Sequence, residues 1–163
     1  MSIGKALTVL VVLGLSGVVQ AEDRPVVAVQ RLTLESVQSV LSAAIEECRK
    51  QGTQVTVTVV DKNGTVQGVA RDTLAPPVSL GISREKAYTA ANFSVATSEL
   101  GDLAKSPIGA VDNVTMSAGG IVIEAGGVIY GGVGVSGAPS GQIDEDCARA
   151  GLAAISDDLE MME

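Results

Sequence analysis

Residues 54–71 read QVTVTVVDKNGTVQGVAR, and this stretch predicts a β-hairpin. Valines and threonines alternate from position 55 to position 59, which is the two-residue period of a strand with two different faces. Asn63-Gly64 accepts the positive φ angles of a tight turn, and a returning strand is expected to reach about Arg71. The hairpin predicts antiparallel pairing.

Helical patterns and a second hairpin surround the first one. Apolar residues at three- and four-residue steps predict a helix that Thr33 caps and Gly52 ends. The other expected elements are a helix from near Ser83 through Ala91, a short helix at 97–100, strands at 120–124 and 128–135, and a helix that begins with Asp144 and frays from Asp157. This order predicts one α+β domain, with helices packed on an antiparallel sheet.

The first 21 residues have the pattern of a signal peptide. Lys5 precedes an apolar run from Ala6 to Val19, and Ala21 ends a small-residue cleavage site. The run is shorter than the roughly 20 apolar residues of a membrane span. We therefore expect a signal peptide at 1–21, a domain at 22–163, a periplasmic or secreted location, and no membrane span after processing.

Composition excludes several classes of function. The net charge is −8, and cleavage after residue 21 would remove Lys5 and make the remainder more acidic still. An acidic chain repels nucleic acid and anionic lipid, so neither is an expected partner. Histidine is absent, which excludes a Ser-His-Asp triad and the zinc sites that use histidine.

Cys48 and Cys147 stand 99 positions apart, and two interpretations are open. An oxidising compartment would allow a disulfide, and closing so long a loop contributes about 4 kcal/mol in the chain-entropy model. Each cysteine also lies in an apolar helical stripe, where a thiol acts as a small hydrophobe. We favour two buried thiols.

Two further clusters invite a functional interpretation. The second hairpin is rich in glycine, from Gly119 to Gly141, and could present a smooth wall to a flat ligand or to a second subunit; bulges or bends would also explain it. The acids at 144–146 and at 157 and 160 are expected to be solvated helix ends, with a weak cation contact as the lesser alternative.

An ordered set of short motifs resembles the GlcG/HbpS family of haem-binding proteins, and also the C-terminal domain of some corrinoid adenosyltransferases. The set covers about residues 32–156. Its members are Val59-Val60-Asp61, Gly64, Arg71-Asp72, Lys86-Ala87-Tyr88-Thr89-Ala90, Thr97-Ser98-Glu99-Leu100, Gly119-Gly120, Gly134-Val135-Ser136-Gly137-Ala138 and Asp144-Glu145-Asp146-Cys147-Ala148-Arg149-Ala150-Gly151.

The resemblance implies a profilin/PAS-like fold, assembly into homo-oligomers, and binding of haem or of a corrinoid instead. A haem-degrading label also attaches to this family. One departure is visible, because Val122 stands where the family often has proline in Gly-Gly-x-Pro-Ile. Some members hold haem through a histidine, and this chain has no residue that corresponds to that ligand.

Without histidine, the iron of a bound tetrapyrrole would need another ligand. Tyrosinate and methionine are established haem ligands, whereas a hydroxyl would be a weak one. Arg71 and Lys86 could pair with the propionates, or Arg71 could instead pair with Asp61 or Asp72, and Lys86 with an acid of its own helix. The candidate cofactor-binding residues are Arg71, Ser79, Lys86, Tyr88, Thr89, Met116, Gly119, Gly120 and Tyr130.

We therefore expect an exported haem-binding module for sequestration, sensing or redox-stress protection. The first alternative is a haem-degrading or other small-molecule enzyme. The second is an accessory subunit of a periplasmic dehydrogenase or sensor.

Overall fold

The computed structural model describes residues 25–162 and shows a four-stranded antiparallel sheet between two layers of helices. The predicted signal peptide lies outside the described residues. The elements are α1 (Leu34–Lys50), β1 (Thr56–Asp61), β2 (Val66–Arg71), α2 (Ser79–Phe93), two 3₁₀ segments (Thr97–Lys105 and Pro107–Ala110), β3 (Gly120–Ala125), β4 (Val128–Ser136) and α3 (Gly141–Glu160). Among these helices, none is both long enough and apolar enough to cross a membrane. The predicted α+β class is confirmed.

The sheet order is β2-β1-β4-β3, so the two hairpins meet at the pair of central strands. Helix α2 packs against β4, β1 and β3 on one face, while α1 and α3 lie side by side on the other. Val57 and Val59 enter the core under α1 and α3. Thr56 and Thr58 face α2, where their hydroxyls pair with those of Ser79 and Ser83 at 2.6 and 2.8 Å. The alternation of valine and threonine in β1 therefore directs the valines toward α1 and α3 and the threonines toward α2.

The boundaries of α1 agree with the prediction. Thr33 Oγ1 accepts a hydrogen bond from Ser36 N, as an N-cap should. Gly52 follows the helix with φ +75°. Helix α2, in contrast, begins at Ser79 rather than near Ser83, because Ser79 Oγ is anchored to Thr56 and also donates to the Pro76 carbonyl.

The glycines of the second hairpin admit the backbone of α2. A Cβ on Gly134 would lie 2.1 Å from Ser83 O, and one on Gly132 would lie 2.5 Å from Ala87 O. The interpretation of this hairpin as a wall for a flat ligand or a second subunit was therefore wrong at Gly132 and Gly134, because a helix of the same chain covers them. The alternative of bulges agrees with the irregular pairing of β3 with β4 between Ile123 and Glu124.

The cysteines were also interpreted wrongly. Cys48 of α1 and Cys147 of α3 form a disulfide, with 5.5 Å between their Cα atoms and no exposed surface on either residue. The apolar stripes that suggested separate thiols face each other, which brings the sulfurs within bonding distance.

Two acids of α3 depart from the expectation, whereas Asp146, Asp157 and Glu160 are exposed as expected. The helix begins at Gly141, and Ser140 Oγ accepts from Ile143 N as its cap. Asp144 and Glu145 are 4% and 3% exposed, so they are not solvated. The far end continues to Glu160 because Leu159 is buried against the core.

Candidate functional site

The structure separates the predicted site residues into two main regions. The first, which we call the inner polar cluster, comprises Lys86, Thr97, Gly119, Gly120 and Asp144. Lys86 Nζ donates to Asp144 Oδ2 at 2.8 Å and to Val135 O at 2.9 Å. Both charged side chains are buried, at 4% and 5% exposure. The partner of Lys86 is thus on α3 and not on its own helix.

Gly119 and Gly120 allow the inner polar cluster to close tightly. A Cβ on Gly119, whose φ is +121°, would lie 2.7 Å from Lys86 Nζ. Gly120 N donates to Thr97 Oγ1 at 2.9 Å. A side chain at either glycine would leave no space for these contacts, so the cluster joins α2, α3 and the start of β3 rather than enclosing a ligand.

Burial raises the pKa of Asp144 because desolvation penalises the carboxylate. The hydrogen bond and positive charge of Lys86 oppose that effect, as does the hydrogen bond that Ala138 N donates to Asp144 Oδ1 at 3.0 Å. Lys86 therefore makes the largest contribution that offsets the desolvation of the buried Asp144 carboxylate.

Replacing Lys86 by methionine should lower the free energy of unfolding by about 3 kcal/mol, because it leaves the buried Asp144 without its cation. Adding Asp144→Asn should restore most of that loss, since the amide keeps an acceptor for Ala138 N and carries no charge. Urea unfolding of both variants checks this. A double variant no more stable than Lys86→Met would contradict a role based on charge compensation.

The second region lies beside α2, where β2 is left uncovered. Helix α2 packs on β1, β3 and β4 but makes little contact with β2. Three residues of β1 point toward the α2 layer, namely Val60, Thr58 and Thr56. The residues of β2 that pair with them are, in the same order, Val66, Val69 and Arg71. Their side chains therefore lie on the α2 side of the sheet. Val66 and Val69 are 39% and 46% exposed, so they form an open aliphatic strip.

One flank of α2 borders this strip. Lys86 points toward β4 and Ser83 toward β1, which leaves Leu80, Arg84 and Tyr88, spaced by four residues, on the flank nearer β2. A Cβ on Gly64 would lie 2.5 Å from the Tyr88 ring, so the ring reaches the β1–β2 turn. We call the six residues of this region the β2–α2 ledge; they are Val66, Val69, Arg71, Leu80, Arg84 and Tyr88.

The β2–α2 ledge carries two arginines that form no ion pair with a carboxylate of residues 25–162. Three of the five arginines at 25–162 form ion pairs, in which Arg31 contacts Asp61, Arg49 contacts Asp72 and Arg149 contacts Glu145. Arg71 and Arg84 have no such partner among the described residues. Arg71 Nε and Nη2 both donate to Ala75 O, at 2.9 and 2.6 Å. The suggested pairing of Arg71 with Asp61 or Asp72 was wrong, since other arginines hold both acids.

The nine predicted site residues do not surround one cavity. Arg71 and Tyr88 lie on the β2–α2 ledge, and Ser79, the first residue of α2, is buried against Thr56 of β1. Thr89 accepts from Thr115 N on the opposite flank, next to the half-buried Met116, and Tyr130 is in the core. Arg84 and Leu80 were not among the predicted site residues, although Leu80, Arg84 and Tyr88 follow one another at four-residue steps.

Two surface cavities lie elsewhere, and neither touches a predicted site residue. The larger, about 410 Å³, lies between residues 27–30 and the hairpin turns at Lys62, Asn63, Val128 and Ile129. The smaller, about 220 Å³, lies between α1 and Ala70. Within the described part of the chain there is no group of three or more acidic or cysteine side chains placed to hold a metal ion.

Comparison with known proteins places this geometry in a family. Residues 32–153 match the family described as haem degrading protein HbpS-like. A crystal structure of HbpS superposes with a TM-score of 0.77 at 38% identity, covering 81% of this chain and 95% of that one. A double mutant of HbpS from Streptomyces reticuli gives 0.76 at 34% identity, covering 93% and 99%.

The relation to corrinoid adenosyltransferases is also present. The corrinoid adenosyltransferase PduO of Salmonella typhimurium is 31% identical over 133 residues, which are 77% of this chain but only 39% of that enzyme. A complex of PduOC with haem superposes with a TM-score of 0.72 at 29% identity, covering 77% of this chain and 96% of that one. The predicted resemblance is confirmed: this chain belongs to the HbpS-like family.

Proposed function

We propose that this protein is an exported haem-binding module that holds the macrocycle on the β2–α2 ledge for sequestration or sensing. The observation that carries the proposal is the pair of arginines that form no ion pair among residues 25–162, beside an exposed aliphatic strip. A flat apolar ring with acidic arms complements both features. The haem complex of PduOC, a structure with the same fold, supports the choice of ligand.

The residues of the β2–α2 ledge suit haem in three respects. Val66, Val69 and Leu80 offer apolar surface to a ring face, and the two guanidinium groups offer donors to propionates. Tyr88 is half-buried at the edge of the strip and supplies a phenol oxygen, an established type of haem ligand. Haem, when bound, would supply a one-electron redox centre. The inner polar cluster, in contrast, offers no room for a ring.

The disulfide supports an exported location. Cys48 and Cys147 are paired in the structure, and structural disulfides persist in oxidising compartments such as the periplasm. The signal-peptide pattern at 1–21 is consistent with this. We propose a periplasmic or secreted protein on these two grounds.

Self-association is part of the proposal. Val26, Val27 and Val29 are 75%, 87% and 51% exposed in an extended segment before α1. Such a run of exposed valines fits burial against a second copy of this chain. A periplasmic sensor or dehydrogenase as a partner stays a prediction.

Titrating the purified protein with hemin should give a saturable shift of the Soret band with one haem per chain. Tyr88→Phe should alter the position of that band and weaken binding, because it removes the proposed oxygen ligand. Tyr130→Phe is the matched control, since Tyr130 lies in the core on the other face of the sheet and should leave the spectrum unchanged.

The same samples distinguish storage from degradation. With a reductant and oxygen, a stable Soret band supports sequestration or sensing, and an ordered loss of the band with release of iron supports a haem-degrading enzyme. The absence of any saturable shift with hemin would reject the proposed function.

A further inference from the structure

We infer that the β2–α2 ledge selects its ligand by two free carboxylate arms, so that it takes dicarboxylate tetrapyrroles and discriminates against macrocycles whose arms are amides or esters, corrinoids among them. This inference rests on the proposed function, because it concerns the choice of ligand at the same site.

The placement of the unpaired arginines is the first ground for this inference. The chain carries 19 acidic against 11 basic residues, so an arginine without an acidic partner is not what its composition favours. Arg71 and Arg84 nevertheless both lack one among residues 25–162, and both belong to the same ledge. Their charges therefore lie on one face of a protein whose net charge is −8, which favours an anionic ligand there.

The hydrogen bonds of Arg71 are the second ground. Two of its nitrogens are fixed on the carbonyl of Ala75, a residue that is 1% exposed. A guanidinium has five N–H donors, so three remain for a ligand while its orientation is already set. Because this orientation does not have to be acquired on binding, the entropic cost of a new salt bridge is lower.

The chemistry of the arms gives the selectivity. A carboxylate accepts charge-assisted bonds from guanidinium groups, which are roughly twice as strong as bonds between neutral groups. An ester accepts weakly and carries no charge. A primary amide has one acceptor atom and turns its own N–H donors toward the arginines. The affinity of the ledge for macrocycles of similar apolar area therefore depends on the charge and hydrogen bonding of their arms and not on their rings.

The test compares hemin, hemin dimethyl ester and a corrinoid with amide arms on the unmodified protein by absorption titration. The ester should bind about tenfold more weakly than hemin, as expected for the loss of two partly exposed ion pairs. The corrinoid should bind more weakly still. Raising the salt concentration should reduce the difference between hemin and its ester, because screening weakens both pairs.

Variants assign the selectivity to the two arginines. Arg71→Gln combined with Arg84→Gln should bring the affinities for hemin and its ester together. Lys50→Gln combined with Lys105→Gln removes the same charge away from the ledge, at exposed positions, and should leave the difference intact. Equal selectivity loss in both pairs would overturn the assignment.

The outcomes separate this inference from the proposed function. If hemin and its ester bind with equal affinity and both shift the Soret band, selection by the arms is overturned while haem binding stands. A corrinoid that binds as tightly as hemin also overturns the selection. If neither hemin nor its ester binds, the proposed function itself is rejected.

Discussion

Gly134→Ala is expected to lower the free energy of unfolding by more than about 4 kcal/mol, a loss of the size that unfolds marginal domains. The added Cβ would lie 2.1 Å from Ser83 O and 2.4 Å from Ala87 N. Both are backbone atoms of α2, so no side chain can rotate away. The helix would have to move off the sheet, and its contacts with β1, β3 and β4 would open together.

Gly81→Ala is the matched control on the same helix. Nothing lies within 4 Å of a Cβ at this position, and alanine is the better helix former, so stability should rise by about 0.5 to 1 kcal/mol. Urea unfolding of the two variants measures both effects. A Gly134→Ala variant as stable as the unmodified protein would show that α2 is not seated on β4 as described.

Removing the disulfide by Cys48→Ala and Cys147→Ala together should cost about 4 to 5 kcal/mol, measured by urea unfolding under oxidising conditions. The bridge closes a loop with a sequence separation of 99, and a loop of about 100 residues is worth about 4.7 kcal/mol in the chain-entropy model. The two sulfurs are also fully buried, so truncation removes packing between α1 and α3 as well.

Reductant provides the control for that measurement. Reductant should lower the free energy of unfolding of the unmodified protein to that of the double variant. It should leave the stability of the double variant unchanged. If the double variant unfolded at the same urea concentration as the unmodified protein, the stabilising role of the bridge would be contradicted.

Local sequence signals predicted most of the fold. Thr33 caps α1, and Asn63-Gly64 marks the first turn, because the residues themselves determine both features. The start of α2 and the burial of Asp144 were not predicted. Both depend on contacts with partners far along the chain, Thr56 for Ser79 and Lys86 for Asp144, and a helical period does not reveal such partners.

The candidate site was predictable only in part. The chemistry of arginine and tyrosine identified Arg71 and Tyr88, which the structure places on one ledge. A two-residue separation on a helix also places Lys86 and Tyr88 on different faces. It did not show which flank of α2 would be buried, since that depends on how the helix sits on the sheet. Arg84 was missed for this reason, although it lies four residues before Tyr88.

The bridge between Cys48 and Cys147 also makes the intervening chain a covalently closed ring. The segment 97–114, which holds the two 3₁₀ segments, lies within that ring and exposes Ile108 and Val111, which makes it a natural site of proteolytic cleavage. A single cut there would leave both halves attached, so a nicked molecule would keep its helices tethered and survive as one particle until its sulfurs were reduced.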